Sequence, residues 1–132
     1  MKFITWTKKL SVGIGELDEQ HRHLIKIINS VHAKTKKSNE NVRDELNELV
    51  EFVRIHFSTE EEYFKKWNYP SAKEHEEEHE KLTLKVLQLD RRFENGEKIL
   101  GELTKFLKEW LEDHLKNYDF KYRDFIKENH LV

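Results

Sequence analysis

The chain has 132 residues, a length that favours one domain with a single buried core. Its 24 basic side chains nearly balance its 26 acidic ones, and the two signs alternate along the chain, which argues against a nucleic-acid partner. The absence of cysteine excludes disulfides, thiolate metal sites and thiol catalysis, and no apolar stretch suits membrane insertion. We therefore expect a cytoplasmic protein forming one domain over residues 1–132.

The N-terminal segment and the first predicted helix differ in pattern. Residues 1–17 have no sustained period and contain two glycines, which predicts an extended N-terminal arm. Asp18 is a favourable N-cap for a first helix, and a helical bundle is expected from there, over 18–132. Polar residues 37–39 are expected to end the first helix. Its apolar positions recur at three- and four-residue spacing and are Leu24, Ile25, Ile28 and Val31.

A second helix is predicted from about Asn41 to the stop signal Asn68-Tyr69-Pro70. One stripe of this helix begins with apolar residues and then continues through polar ones. The apolar members are Val42, Leu46, Leu49 and Val53. His56 and Glu60 follow on the same stripe, so two polar side chains are predicted to face the core.

The third helix is predicted to start at a capping box formed by Ser71 and Glu74. Its inward positions alternate in steps of four and three and are His75, His79, Leu82, Val86, Leu89 and Phe93. Two histidines therefore occupy core positions of this helix. The pair Asn95-Gly96 is predicted to form the turn that follows.

The fourth helix is predicted to be irregular near its end. Its inward residues are Leu100, Leu103, Leu107, Leu111 and His114. Asp119 lies five residues after His114, and five residues turn the direction of a side chain by roughly 140° in a regular helix. Both side chains can point inward only if the helix widens or breaks, and we predict a π-bulge between them.

These four helices predict an all-α, up-down-up-down four-helix bundle with an extended N-terminal arm. In that topology the starts of the first and third helices meet the ends of the second and fourth. Seven polar side chains are then predicted to converge at one end of the bundle: His21, His56, Glu60, His75, His79, His114 and Asp119.

A cluster of this kind predicts metal binding. Any one of these histidines is well explained as a core residue hydrogen-bonded to a carboxylate. Seven buried polar groups together would cost about 1–3 kcal/mol each without a strong partner, a sum comparable with the stability of a small domain. Five imidazoles and two carboxylates exceed what one tetrahedral zinc uses, whereas two metal ions sharing the carboxylates would use them all.

The chain resembles the hemerythrin family, in particular its bacterial members, over nearly its whole length. The matching features are Trp6, Val12-Gly13-Ile14, Asp18-Glu19-Gln20-His21, His56-Phe57, Glu60-Glu61, Tyr69-Pro70, His75 and His79 with three residues between them, and Trp110-Leu111 ahead of His114 and Asp119. The resemblance implies a non-haem di-iron centre that binds molecular oxygen.

The resemblance also implies roles for individual residues. One iron would take three histidines, which are His75, His79 and His114. The other iron would take His21 and His56 and keep an open position for oxygen. Glu60, Asp119 and an oxo or hydroxo group would bridge the two irons. The oxygen pocket implied by the family consists of Leu24, Phe57, Trp110, Leu111 and Leu115, for which core packing is an equally good explanation.

The predicted function is reversible oxygen binding for transport, storage or delivery, without enzymatic activity. Histidine-rich ligation favours a carrier, because di-iron oxidases use more anionic carboxylates. The alternatives are a di-iron oxidase or peroxide-consuming enzyme, an oxygen-sensing module with a protein partner, and an interaction bundle without metal. His23, His32 and His130 are expected to face solvent. Trp67 and the aromatic residues from Tyr118 to Phe125 are expected to close the bundle and seat the arm.

Overall fold

The computed structural model describes residues 3–34 and 42–131, which contain four long α-helices and no strand. A short 3-10 helix, Lys8–Leu10, lies in the arm. The α-helices are α1, Gly15–Lys34; α2, Arg43–Trp67; α3, Ala72–Glu94; α4, Leu100–His114; and α5, Phe120–Glu128, which continues α4 after a π-helical turn at Leu115–Asp119. The predicted all-α bundle is confirmed. None of the helices within the described residues is both long and apolar enough to cross a membrane.

The helices pack with neighbours running in opposite directions. α1 contacts both α2 and α4, and α2 contacts α3. His21 near the start of α1 lies beside Asp119 at the end of the π-helical turn, and His79 in the first half of α3 lies beside Glu60 late in α2. This antiparallel arrangement brings four helix ends to one end of the bundle.

Two apolar clusters fill the bundle. The larger cluster runs along the four helices and contains the predicted apolar residues of α1 and α2. The smaller cluster joins the arm to the ends of α2 and α5 and comprises Val12, Ile14, Leu17, Phe64, Trp67, Tyr69, Tyr122 and Ile126. The predicted packing role of Trp67 in seating the arm is confirmed. In α4 the buried residue at the start is Ile99, while Leu100 is only half-buried.

The helix starts differ from the predictions. α1 begins at Gly15, so Asp18 lies inside its first turn and is not the N-cap. The Asp18 carboxylate instead accepts hydrogen bonds from the Ser11 hydroxyl and from the backbone N–H of Val12, at 2.9 Å. Asp18 therefore fastens the arm to α1. Ser71 precedes α3, but its side chain forms no capping hydrogen bond within the described residues.

The predicted connections agree with the structure where it describes them. Asn68 ends α2 in the left-handed region at φ 51°, directly before Tyr69 and Pro70. Gly96 has φ +88°, which suits the predicted turn after α3 because glycine has no Cβ to strain. The predicted break at Lys37-Ser38-Asn39 and the predicted start near Asn41 lie outside the described residues.

The predicted irregularity near the end of α4 is confirmed. Leu115–Asp119 form a π-helical turn, in which the backbone N–H of Phe120 bonds to the carbonyl of Leu115. The wider turn accommodates the five-residue separation of His114 and Asp119, so both side chains enter the core. A regular α-helix would turn one of them away.

Replacing Asp18 should weaken the attachment of the arm. In Asp18→Ala the buried N–H of Val12 loses its acceptor, so we expect the free energy of unfolding to fall by about 1–3 kcal/mol in urea denaturation. Glu19→Ala is the matched control, because Glu19 is exposed and, in the described part of the chain, pairs only with Arg22; its loss should change stability by less than about 1 kcal/mol. Equal losses in both variants would contradict the assigned role of Asp18.

Candidate metal centre

The seven predicted side chains meet at one end of the bundle. Each helix from α1 to α4 supplies at least one of them, and the π-helical turn supplies Asp119. All seven are at most 3% exposed, and they are His21, His56, Glu60, His75, His79, His114 and Asp119. The convergence expected from helical topology is therefore present in the structure.

Asp119 lies between two groups of histidines. Its Oδ2 is 3.1 Å from Nε2 of His21 on one side. Its Oδ1 is 3.0 Å from Nε2 of His75 and 3.1 Å from Nε2 of His114 on the other side. Each oxygen of this carboxylate thus faces a different group of imidazoles.

Glu60 also faces both groups, through a single oxygen. Its Oε1 is 3.0 Å from Nε2 of His79 and 3.6 Å from Nε2 of His56. Its Oε2 accepts a hydrogen bond of 2.7 Å from the hydroxyl of Tyr122, a fully buried residue of α5. Tyr122 therefore fixes the rotation of Glu60 so that Oε1 remains directed at the histidines.

Two of the clustered histidines form hydrogen bonds through Nδ1 with side chains of α1 and α2. Nδ1 of His56 donates to Oε1 of Gln20 at 2.7 Å. Nδ1 of His79 donates to Oε2 of Glu61 at 3.0 Å. A donor bond from Nδ1 orients the ring and leaves Nε2 to act as a metal ligand. One partner is a neutral amide and the other is a carboxylate.

The inward atoms of the cluster fit a metal site. Among the described residues, Oε1 of Glu60, both oxygens of Asp119 and the Nε2 atoms of His21 and His79 are buried without a hydrogen-bond partner. Two sets of four ligand atoms lie within 4.8 Å of one another: Glu60, His75, His79 and His114; and His21, His56, Glu60 and Asp119. Imidazole nitrogens and carboxylate oxygens are ligands for transition-metal ions such as iron.

The electrostatics of the cluster also suit cations. Burial and the Asp119 charge would raise the pKa of Glu60, but His56 and His79 hold that pKa at about 2. Burial would likewise raise the pKa of Asp119, yet His114, His21 and His75 keep it well below its usual range. Two ionised carboxylates are thus buried together, which is unfavourable unless positive charge lies beside them.

In the absence of metal, the imidazoles of the cluster differ in protonation state. Burial lowers the pKa of His56 to about 4, so this ring is neutral at pH 7. Burial would also lower the pKa of His79, but the carboxylates of Glu60 and Glu61, each 3.0 Å from one of its ring nitrogens, raise the pKa to about 9. A metal ion that binds His79 must therefore displace a proton from Nε2.

Apolar and aromatic side chains border the cluster on one side. Phe57 stacks on His79 with ring centroids 3.7 Å apart, and Trp110 stacks on His114 at 4.3 Å. Leu24, Leu111 and Leu115 are buried in the large apolar cluster that also contains Phe57. Trp110 is half-buried at its edge. The five residues expected to form a pocket therefore lie in the apolar part of the bundle, with Phe57 and Trp110 directly against imidazoles.

The three remaining histidines stay outside the cluster. The side chain of His23 is 42% exposed and pairs with Glu48, and His130 is exposed. His32 is half-buried and stacks on Phe3 with ring centroids 3.7 Å apart, so its expected solvent-facing role was wrong. The extended arm, which brings Phe3 onto α1, accounts for this difference.

Sequence reasoning missed three residues that support the cluster. The sequence predicts no role for Gln20 or Glu61, and it predicts only a packing role for Tyr122. A signal was present, because Gln20 and Glu61 directly adjoin predicted ligands and Tyr122 lies three residues after Asp119 on the same helix face. Which imidazole each of them contacts depends on how the helices are rotated against one another, and periodicity does not give that rotation.

The fold and the buried cluster together define a metal-binding helical-bundle protein. A family model described as the hemerythrin HHE cation binding domain matches residues 12–126. The chain belongs to the hemerythrin family.

Similar proteins and structures agree with this assignment. The chain is 34% identical to "Bacteriohemerythrin" of Stenotrophomonas maltophilia (strain R551-3), over 96% of this chain and 84% of that protein. It is 35% identical to "Hemerythrin-like protein" of Naegleria gruberi, over 89% of each chain. A crystal structure of wild-type hemerythrin superposes with a TM-score of 0.87 at 27% identity, covering 92% of this chain and 96% of that one.

Removing the partner of His79 should weaken metal binding. In Glu61→Ala the ring of His79 loses the acceptor at Nδ1, and we expect the affinity of the site for Fe²⁺ to fall by about 10–100-fold. Competition with a chelator under anaerobic conditions measures this change. Glu62→Ala is the control, since Glu62 is exposed and carries the same charge one residue later. An unchanged affinity in Glu61→Ala would refute the orienting role.

Proposed function

We propose that this protein binds molecular oxygen reversibly at a non-haem di-iron centre. The observation that carries the proposal is the convergence of five Nε2 atoms and two carboxylates in a buried site bordered by apolar side chains. Family membership supports the same conclusion. The role is that of a carrier, store or delivery protein, without a catalytic reaction of its own.

The donor set suits two ions. His75, His79 and His114 would hold one iron, and His21 and His56 would hold the other. Glu60 and Asp119 would bridge them together with an oxo or hydroxo group, which agrees with the way each carboxylate faces both groups of imidazoles. The group with two imidazoles offers one side-chain ligand fewer, so that is where a small external molecule would find room.

The composition of the donor set favours binding over oxidation chemistry. Five neutral imidazoles and only two anionic carboxylates stabilise the higher oxidation states of iron less than a carboxylate-rich set does. Cleavage of the oxygen–oxygen bond requires those higher states. Two iron ions held by these residues would supply the electrons for a reversible reduction of bound oxygen.

The protein orients the ligand side chains and keeps water away from the proposed oxygen pocket. Gln20, Glu61 and Tyr122 hold three of the ligand side chains in place through hydrogen bonds. The proposed pocket residues Leu24, Phe57, Leu111 and Leu115 are at most 6% exposed, and the half-buried Trp110 packs against the same apolar cluster. This apolar wall would admit oxygen and exclude water and anions, which promote irreversible oxidation of iron. The cytoplasmic location and any protein that accepts the oxygen stay predictions.

Spectroscopy of the reduced, iron-loaded protein tests the proposal. We expect two irons per chain and an absorption change on exposure to air that reverses under vacuum. A species that decays with product formation would instead support a di-iron oxidase or a peroxide-consuming enzyme. Protein that holds a single zinc ion, or no metal, would overturn the proposal altogether.

A ligand substitution tests the site assignment. His79→Ala removes a buried nitrogen from the three-histidine group, so we expect the iron content per chain to fall to about half or less. His23→Ala removes an exposed imidazole from the same bundle and should retain full iron content. Iron analysis with circular dichroism separates metal loss from unfolding, and equal iron losses in the two variants would contradict the assignment.

A further inference from the structure

A cavity lies between the N-terminal arm and α5, apart from the metal cluster. It has a volume of about 430 Å³. Its apolar part is formed by Val12 and Ile126, which are both buried. Lys8 and Lys9 border it from the arm, and Arg123 and Lys127 border it from α5. Neither the cluster nor the proposed oxygen pocket includes any of these residues.

The charged side chains that line this cavity are all basic. Its lining within the described residues contains four basic side chains and no carboxylate. Four other cavities each include at least one acidic residue, such as Glu61 between α2 and α3 or Glu109 on α4. In a chain with more acidic than basic residues, a cavity whose charged lining residues are all basic departs from the general pattern.

Among the described residues, Lys8, Lys9 and Lys127 form no ion pair, and Arg123 forms one. Arg43 pairs with Asp90 and Glu94, and Arg92 pairs with Glu97 and Glu102. By contrast, Arg123 and Lys127 lie four residues apart on one face of α5, where like charges repel each other. Arg123 pairs through Nε with Asp124 at 3.1 Å, and its guanidinium lies over the ring of Phe120, 4.1 Å from the ring centroid. Within the described residues no ion pair involves its terminal nitrogens, so their edge can contact a ligand.

We propose that this cavity binds a small polyphosphate, either inorganic pyrophosphate or the phosphate chain of a nucleotide. Four cations match the several negative charges of such a group. The guanidinium of Arg123 offers a planar fork of donors, and the lysines supply mobile point charges. The volume lies within the range of about 300–1,000 Å³ that is typical of small-molecule sites.

A ligand at this position would join the arm to α5. Val12 and Ile126, at the cavity wall, belong to the smaller apolar cluster together with Tyr122. Tyr122 in turn bonds to Glu60. Binding would therefore stabilise the segment that packs behind the metal cluster, and the melting temperature should rise with ligand concentration.

Calorimetric titration of the protein as purified tests the proposal, with pyrophosphate, ATP and inorganic phosphate as separate probes. We expect pyrophosphate and ATP to bind at a stoichiometry of one, and phosphate to bind more weakly. If pyrophosphate and ATP bind with comparable affinity, the site recognises the phosphates alone. If ATP binds more tightly, the nucleoside also contacts the protein. Either result supports the site. Metal content is measured before and after titration, because polyphosphates chelate iron.

Two double variants decide the location. Arg123→Gln with Lys127→Gln should weaken pyrophosphate binding by about tenfold or more, since two of the four charges are removed. Lys105→Gln with Lys108→Gln removes the same charge from α4, beside a cavity that also contains Glu109, and should retain the affinity. Absent binding to the unmodified protein, unchanged binding in the α5 variant, or equal losses in both variants would overturn the proposal. Thermal melts confirm that each variant is folded.

Discussion

The burial of two ionised carboxylates among five imidazoles is the constraint on which the rest of this structure depends. Glu60 and Asp119 are almost inaccessible to solvent, and their inward oxygens make no hydrogen bond within the described residues. Hydrophobic packing cannot compensate such charges; positive charge beside them can. The helix directions, the widened turn before Asp119 and the hydrogen bond from Tyr122 all serve to hold these two groups where cations would balance them.

The periodicity of the sequence was sufficient for most of the fold. Apolar residues at helical spacing identified four helices, and the same stripes carried the histidines into the core. The spacing of His114 and Asp119 even predicted the π-helical turn, because regular helix geometry cannot direct both residues inward. Helix starts were predicted less well. Asp18 has the chemistry of an N-cap, but the arm supplies other donors for its carboxylate, and tertiary contacts therefore outweighed the local preference.

The sequence predicts which side chains meet in the candidate site, but it does not predict the hydrogen bonds that orient them. Topology alone brings seven polar residues to one end of the bundle. The hydrogen-bond partners of the histidines could not be predicted in this way, because they lie on neighbouring helices. Gln20 of α1 contacts His56 of α2, and Glu61 of α2 contacts His79 of α3. Such contacts depend on the rotation of each helix about its own axis. The arm illustrates the same limit, because its irregular backbone placed Phe3 on His32 without any periodic signal.

The distribution of the cluster over the whole chain has a consequence for assembly. His21 stands near the beginning of the bundle and Asp119 near its end, with contributions from every intervening helix. Ions held by all of them would act as cross-links between segments distant in sequence, and cross-links over long loops restrict the unfolded chain most. Partly folded forms lacking one helix would offer an incomplete set of donors, so metal capture would come late and would select chains whose topology is already correct.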